Sequence, residues 1–473
     1  MGNGLLSVII PLIVILGAAL TKGIIPSLIV GILAGGIALA NGNIVQGMID
    51  AGDHLVRSAA NEESVYILFF LFLFGAFAEI MKLSGGIKGF AKLTEKLVKT
   101  ERGALAAVWA VTPVTFIDCC FHGISAGTVG RALIDKVGGN KRKFAFVLNV
   151  TSCLLILLIP FGTTYVGYIM GVIASSLNKA GVGLPPYELY LKSIPYNFYA
   201  ITMLLISVAV IAFNFGFKRE VQASDEDKTF EEEHGHDEAH EQCTFEEKAP
   251  PRPLNLILPL FFLILSTVFF LWLTGRGKGP GFWGALLNAE FEKSIFISGL
   301  VTVVLTCVFY LFQKIPLREL DSHFLSGGNE MIPPIVVLIL SWGLSSIVEE
   351  LGFARFVAGF ASRIPAFLVP AAVYLVGCFT SYFMGTAWGT WALIMPMAVP
   401  LAASAGISIP LMIGAVLAGG ALGDNASPLG ETAILSATLS DVPVIEHVKS
   451  ELPFCLIGVG VSALLFAISA ILL

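Results

Sequence analysis

Charge is what this chain has least of. Only 13% of its 473 residues are Asp, Glu, Lys or Arg, against 56% hydrophobic ones, and the mean hydropathy is +0.84. Two or three water-soluble domains of ordinary composition are thereby excluded, and an integral membrane body remains. A basic excess is also missing: 28 Lys+Arg stand against 34 Asp+Glu, for a net charge of −6. With no basic face or aromatic-interleaved basic groove, nucleic acid is not an expected partner. The seven cysteines, at 119, 120, 153, 243, 307, 378 and 455, lack the paired spacing of a structural zinc site and lie mostly in apolar runs, where thiols pack as small hydrophobes. Cys119-Cys120-Phe121-His122 carries a soft-metal reading as its alternative. Gly275-Arg276-Gly277-Lys278-Gly279 lacks the Ser/Thr ending and spacing of a phosphate-binding loop, and no Ser, His and Asp constellation is defined. No enzyme and no cofactor are therefore expected. The N-terminus MGNGLLSVIIPLIVILGAAL has no basic leader and runs into further apolar sequence, so it reads as a retained first membrane element.

Glycine and proline, by contrast, are abundant, at 49 and 23 residues. In lipid, helix interruptions persist where protein or a water-lined cavity satisfies the exposed backbone, which is how carrier binding sites are built. Candidate membrane elements lie near 5–20, 23–40, 65–81, 104–120, 121–135, 144–160, 161–177, 197–216, 254–273, 294–312, 331–347, 366–383, 388–404, 409–423 and 453–472. They imply an all-α polytopic membrane protein with about 11–14 crossings, some pieces being half-helices or re-entrant segments. One long polar interval divides the chain. Its 218–249 stretch holds 4 basic and 12 acidic residues, so the rest of the chain is close to charge balance. The expected organisation is an N-terminal half at 1–217, a linker at 218–253 and a C-terminal half at 254–473. His234, His236 and His240 make the linker either a solvated acidic loop or a proton-sensing, weakly metal-binding one.

Lys82, Lys88, Lys92, Lys96, Lys99 and Arg102 form one basic loop, and Arg131, Lys136, Lys141, Arg142 and Lys143 another. The positive-inside rule places both on the cytoplasmic face, so 104–135 must enter and return as an interrupted hairpin with its break within 118–125. The acidic 41–64 interval becomes an outside loop, and part of 82–102 has an interfacial helix as its alternative. A weak internal repeat accompanies this pattern: Gly123-x3-Gly127-Thr128 matches Gly385-x3-Gly389-Thr390, with Glu79 and Glu349-Glu350 at similar distances upstream. Irregular polar segments follow at 149–152 and 424–428. The order suggests two related carrier halves, read as inverted repeats. Each GxxxG has helix packing as its other reading.

Oxygen-bearing residues gather at these breaks. Gly423-Asp424-Asn425-Ala426-Ser427-Pro428-Leu429-Gly430-Glu431-Thr432 follows an apolar run, and an ionisable group in hydrocarbon is costly unless paired, hydrated or neutralised. Asp424 is the first candidate for a site where a cation and a proton compete. A cation favours the carboxylate and desolvation favours the acid. Glu431 is an auxiliary carboxylate or a helix cap. Asp118 is the acidic candidate of the first half, with Asn149, Thr151 and Ser152 beside it. Thr386, Thr390, Asn425, Ser427 and Thr432 are further cation or substrate ligands, and a sodium site is expected at Asp424, Ser427 and Thr390. His122 is a relay or a structural histidine, while Glu79, Glu349 and Glu350 gate access or pair with basic residues.

The same residues resemble the NhaC-type sodium/proton antiporter family. Gly423 to Ala437, G-D-N-A-S-P-L-G-E-T-A-I-L-S-A, is similar to its G-D-H-C-S-P-I-S-D-T-T-I-L-S-S pattern. Thr386-Ala387-Trp388-Gly389-Thr390 is similar to its T-S-W-G-T, and Phe116-Ile117-Asp118 to the start of its F-I-D-D-Y-F-N. Glu431 replaces an aspartate of the pattern, Cys119 an acid and Asn425 a histidine. The resemblance implies an inner-membrane, multi-pass secondary carrier that exchanges sodium for protons, or carries a small organic acid or amino acid. The expected partners are the lipid bilayer, sodium and protons, with a small carboxylate or amino acid and a second copy of the chain as further candidates. A channel is the reading from a different class.

Overall fold

The computed structural model describes every residue except 1, 22, 96–97, 214–215, 218–249, 354–355 and 357–364. The expectations for the acidic interval, including His234, His236 and His240, thus lie outside the described residues. Those described form helices with no strand among them. Eight of these helices are long and apolar enough to cross a membrane, or ten if each of two bent pairs is one span. The chain is a polytopic, all-α integral membrane protein. The expected 11–14 crossings counted pieces such as 104–120 and 121–135 separately, whereas the structure joins Glu101–Val111 and Cys119–Val137 into a hairpin and offers eight to ten candidate spans among the described residues.

Local chemistry sets the breaks. In the first half, Thr100 caps Glu101–Val111, a 3₁₀ turn at Thr112–Val114 follows, and the chain turns at 115–118 into Cys119–Val137, capped by Asp118. Lys141–Val150 continues through a π turn at Thr151–Leu155 and ends before Pro160, which disfavours helix in the residue preceding it. After the break at 158–163 the helix resumes as Thr164–Lys179, capped by Thr163. The second half repeats this order. Val369–Met384 turns at Gly385, whose φ of +69° suits glycine, into Ala387–Ala405. Ile409–Ala426 then breaks at 427–430, around Pro428, and resumes as Glu431–Leu439.

Two expectations need correction. The first hairpin turns at 115–118, so His122 and Ser125 are already helical and the 118–125 break is too long. The irregular segment of the first half is 158–163, because Asn149, Thr151 and Ser152 lie in continuous helix where the Thr151 and Ser152 hydroxyls donate back to the Val147 and Leu148 carbonyls.

The hairpins open to opposite faces. At the base of the first, Lys143 pairs with Glu101 at 2.8 Å and Lys141 with Asp441 at 2.6 Å, among the basic loops. An arm of the second runs to Pro396 and Pro400, which share a recess with Lys179 and Glu349. Lys179 also lines a cleft of about 1140 Å³ with Glu62, Glu63, Glu290 and Glu292. The helix Glu62–Lys82 connects this acidic end to the basic end over 21 residues, or roughly 30 Å at helical rise. The 41–64 interval, expected as a loop, contains the helix Ile44–Ala59, turned 118° from Ile24–Leu39, and the 82–102 interval contains the short helix Gly86–Glu95. Gly123 and Gly127 do serve packing: a Cβ there would meet Leu435 and Leu439, both at 2.6 Å, so the first hairpin lies directly on Glu431–Leu439.

Candidate functional site

The breaks converge, and each brings a buried carboxylate to the N-terminus of a hairpin helix. Asp118 Oδ2 accepts from the Cys120 and Phe121 amides at 2.8 and 3.1 Å, and its Oδ1 accepts from Thr164 Oγ1 at 2.9 Å. This closes the first hairpin onto the start of Thr164–Lys179, helped by the Thr164 amide donating to Ile117 O at 2.9 Å. In the second half Thr386 occupies the cap position but its side chain caps nothing. Asp424, from the neighbouring broken helix, supplies the acceptor: its Oδ1 takes the Ala387 amide at 3.1 Å and its Oδ2 the Tyr165 hydroxyl at 3.2 Å. Two helix N-termini, with their partial positive charge, therefore face two carboxylates.

Around Asp424 the backbone is rich in oxygen. The Thr432 hydroxyl donates to the Asp424 carbonyl at 2.7 Å, and Ser427 Oγ accepts from the Leu429 amide at 3.2 Å. A Cβ on Gly430 would lie 2.7 Å from the carbonyl oxygens of Gly423 and Asp424 and 3.1 Å from that of Ser427. Three carbonyl oxygens thus crowd Gly430 too closely for any side chain, so the break brings backbone oxygen atoms together beside Asp424.

A cavity of about 790 Å³ reaches this centre from the basic end, with Lys82, Asp118, Cys120, Glu330, Thr386 and Glu431 in its wall. Asp424, Ser427, Thr390 and Thr432 are buried just behind that wall. Thr390 Oγ1 donates to the Thr386 carbonyl of its own helix at 3.0 Å, and no hydrogen bond joins it to Asp424 or Ser427. Between this cavity and the acidic cleft stands an aromatic layer. Tyr165 and Tyr168 meet Trp388 edge-on at 5.0 and 4.7 Å between ring centroids, and the Tyr168 hydroxyl donates to the Trp388 carbonyl at 2.9 Å. Trp342 lines the cleft on the other side and donates to Gly171 O at 3.2 Å.

The other sequence candidates scatter. His122 is fully buried, with Nδ1 2.7 Å from Thr115 Oγ1 and Nε2 3.2 Å from Thr151 Oγ1, so both ring nitrogens are occupied by hydroxyls. Ser152 donates to Leu148 O and does not line the cavity. Glu79 pairs with Lys82 and lies 3.3 Å from His323. Glu349 borders the small recess at the acidic end, and Glu350 lies 3.3 Å from His54.

Asn149 and Asn425 meet in a second polar cluster that sequence reasoning missed. Asn149 Nδ2 donates to the Asn425 carbonyl at 2.7 Å and to Glu451 Oε1 at 2.9 Å, and Glu451 Oε2 lies 3.2 Å from His447 Nε2. Tyr199 donates to Asn425 Oδ1 at 2.7 Å, and Cys455 closes the group. All of these residues are buried. Glu451 and His447 stand at i,i+4 near the start of Val444–Leu472, just ahead of the apolar run at 453–472 that the sequence marked as a membrane element. Thr164 and Tyr165 were missed as well. The signal for them was present: Pro160-x-Gly162-x-Thr164 repeats the spacing of Pro428-x-Gly430-x-Thr432, 268 residues later.

Comparison with known proteins finds relatives among membrane antiporters. The chain is 26% identical over 466 residues to a Haemophilus influenzae protein described only as uncharacterized, covering 95% of this chain and 87% of that one. It is 26% identical over 185 residues to the malate-2H(+)/Na(+)-lactate antiporter of Bacillus subtilis, covering 38% of each chain. It is 23% identical over 187 residues to the Na(+)/H(+) antiporter NhaC of Bacillus subtilis, covering 39% of each. The match to the two antiporters thus spans under two fifths of their length. Residues 155–471 match the Na+/H+ antiporter family. That region contains the Asp424 break and, apart from Asn149, the second polar cluster, and the chain, a secondary active transporter, belongs to the Na+/H+ antiporter family.

Proposed function

We propose that the protein exchanges sodium for protons across the bacterial inner membrane by alternating access, with Asp424 as the residue on which the two ions compete. The observation that carries this reading is the Asp424 carboxylate, buried where two helix breaks meet and beside the backbone carbonyl oxygens that crowd Gly430. Sodium would take the carboxylate and nearby carbonyls, with the Thr432 hydroxyl already at the Asp424 carbonyl, Ser427 in the same break, and Thr390 only after a rearrangement of the Thr386 turn. A proton on Asp424 would remove the charge and release the cation. The halves 1–217 and 254–473 are the units we propose to move, the 218–253 linker joining them. The cavity at the basic end supports a resting state open to the cytoplasm, with the layer of Tyr165, Tyr168 and Trp388 as the barrier to the acidic cleft. The purified chain in proteoliposomes should show sodium-driven proton flux. Asp424→Asn with undiminished flux would overturn the assignment.

A second reading is supported by size. A cavity of about 790 Å³ exceeds what a bare cation needs, and the malate/lactate antiporter is among the relatives. Sodium- or proton-coupled carriage of a small carboxylate or amino acid would place the solute against Lys82 and Thr386. Counterflow of a labelled organic acid, in the absence of direct sodium/proton exchange, would select this reading.

A further inference from the structure

We propose that Cys119, Cys120 and Glu431, together with Asp118, form a binding site for one thiophilic divalent cation, of the Zn2+ or Cd2+ class. This is separate from sodium binding at Asp424 and does not depend on it. The four residues come from two elements: Asp118, Cys119 and Cys120 open the helix Cys119–Val137, and Glu431 opens Glu431–Leu439. All four line the same cavity wall, so an ion arriving from the basic end reaches them without opening the fold.

The spacing fits a metal polyhedron. One ligand atom each from Asp118, Cys119 and Cys120 lies within 4.8 Å of the others. The two thiol sulfurs are 3.9 Å apart, and Cys120 Sγ is 3.0 Å from Glu431 Oε1. Zinc–sulfur bonds of about 2.3 Å and zinc–oxygen bonds of about 2.1 Å give tetrahedral edges of roughly 3.8 Å between sulfurs and roughly 3.5 Å between sulfur and oxygen. The sulfur pair therefore already has the required edge, and the Cys120–Glu431 contact widens by about half an ångström when a metal replaces the shared proton. Asp118 uses three acceptor positions on Cys120, Phe121 and Thr164, which leaves room for one more contact.

His122, which the sequence grouped with the two thiols, is excluded as a ligand because both of its nitrogens face hydroxyls. Cys153 points its sulfur to the Ala421 carbonyl and takes no part. Binding requires both thiols to lose their protons, which pass to water in the cavity, so affinity rises with pH. A metal held there would tie the first hairpin to the broken helix of the second half.

Cadmium titration of the purified full-length protein tests this directly, with the ultraviolet sulfur-to-cadmium charge-transfer band as the readout. The wild type should show a band that saturates at one equivalent, absent from the Cys119→Ser/Cys120→Ser variant and retained in Cys153→Ser and Cys243→Ser. Glu431→Gln should move the titration midpoint to higher cadmium. A wild type without the band, a band that survives the double substitution, or one lost with Cys243 would overturn the proposal. X-ray absorption at the zinc edge on the wild type decides the matter if the double variant does not fold. Two sulfur and two oxygen neighbours are expected, and a shell without sulfur refutes the site.

Discussion

Asp118 and Asp424 are the same residue type, both buried and both at the N-terminus of a hairpin helix, yet they hold their helices differently. Asp118 caps its own helix and takes the Thr164 hydroxyl as a third donor. Asp424 reaches across from another helix, with one amide and one phenol as its donors. A carboxylate offers about four acceptor positions, so Asp118 is nearly saturated by structure while Asp424 keeps about half its capacity. The donors to Asp424 come from two elements, the helix that follows the turn at Gly385 and the helix carrying Tyr165. The difference is one of degree: two of the three donors to Asp118 are amides of the helix it caps and only Thr164 lies on another element, whereas both donors to Asp424 lie on other elements.

The largest expected effect follows from that difference. Asp424→Asn removes the charge but keeps the size, and sodium-dependent proton flux in proteoliposomes should fall to background. Asp118→Asn should retain measurable flux, because one amide oxygen can still cap the helix. The reverse ranking would reassign the ion site to the first half.

A second effect lies in the buried cluster of Asn149, Asn425, His447 and Glu451. Glu451→Leu leaves the Asn149 amide without its carboxylate partner, and orphaning a buried polar group costs about 1–3 kcal/mol. Glu451→Gln offers an oxygen to the same amide and should lose much less. Thermal unfolding in detergent checks the pair. Equal stability of the two variants would mean that Asn149 finds another partner and that the cluster is not a structural lock.

The capping role of Asp118 predicts a smaller loss. Asp118→Ala removes an N-cap worth about 1 kcal/mol, and Thr164→Val removes the one side-chain donor that ties the cap to the broken helix. If both act through the same contact, the double variant should be less destabilised than the sum of the singles, which is the signature of coupled groups. Additive losses would show that Thr164 serves something other than Asp118.

Much of this was legible in the sequence. The low charge, the glycines and prolines, and the polar run at 423–432 located the membrane body, the breaks and Asp424. The first-half break was misplaced at 149–152 because Asn, Thr and Ser there look like a polar interruption. In the structure their side chains satisfy helix carbonyls or a neighbouring helix, so the backbone continues through a π turn. The true break, 158–163, carries no charged side chain and was visible only as a spacing shared with 428–432. Partners from distant segments, Tyr165 for Asp424 and Asn149 for Glu451, have no local signature, because 259 and 302 residues separate them.

The smallest effect sits on the surface and uses the same residue type once more. Asp441, in the turn after Glu431–Leu439, pairs with Lys141 at 2.6 Å, and that hydrogen bond together with the Lys141 charge holds its carboxyl below the usual aspartate range. With the folded value lower than the unfolded one, near about 3.9, the pair contributes its full stability above that value and loses it as the pH falls through the folded value. Asp441 is 61% exposed, so solvent screening limits the contribution to a few tenths of a kcal/mol up to about 1. Its φ of +55° is one that asparagine accepts readily, so Asp441→Asn removes the charge without straining the turn. The variant should be slightly less stable than the parent at neutral pH and low salt, and the gap should close in high salt and on acidification. A gap that persists under both conditions would assign the role of Asp441 to the backbone turn and not to the ion pair.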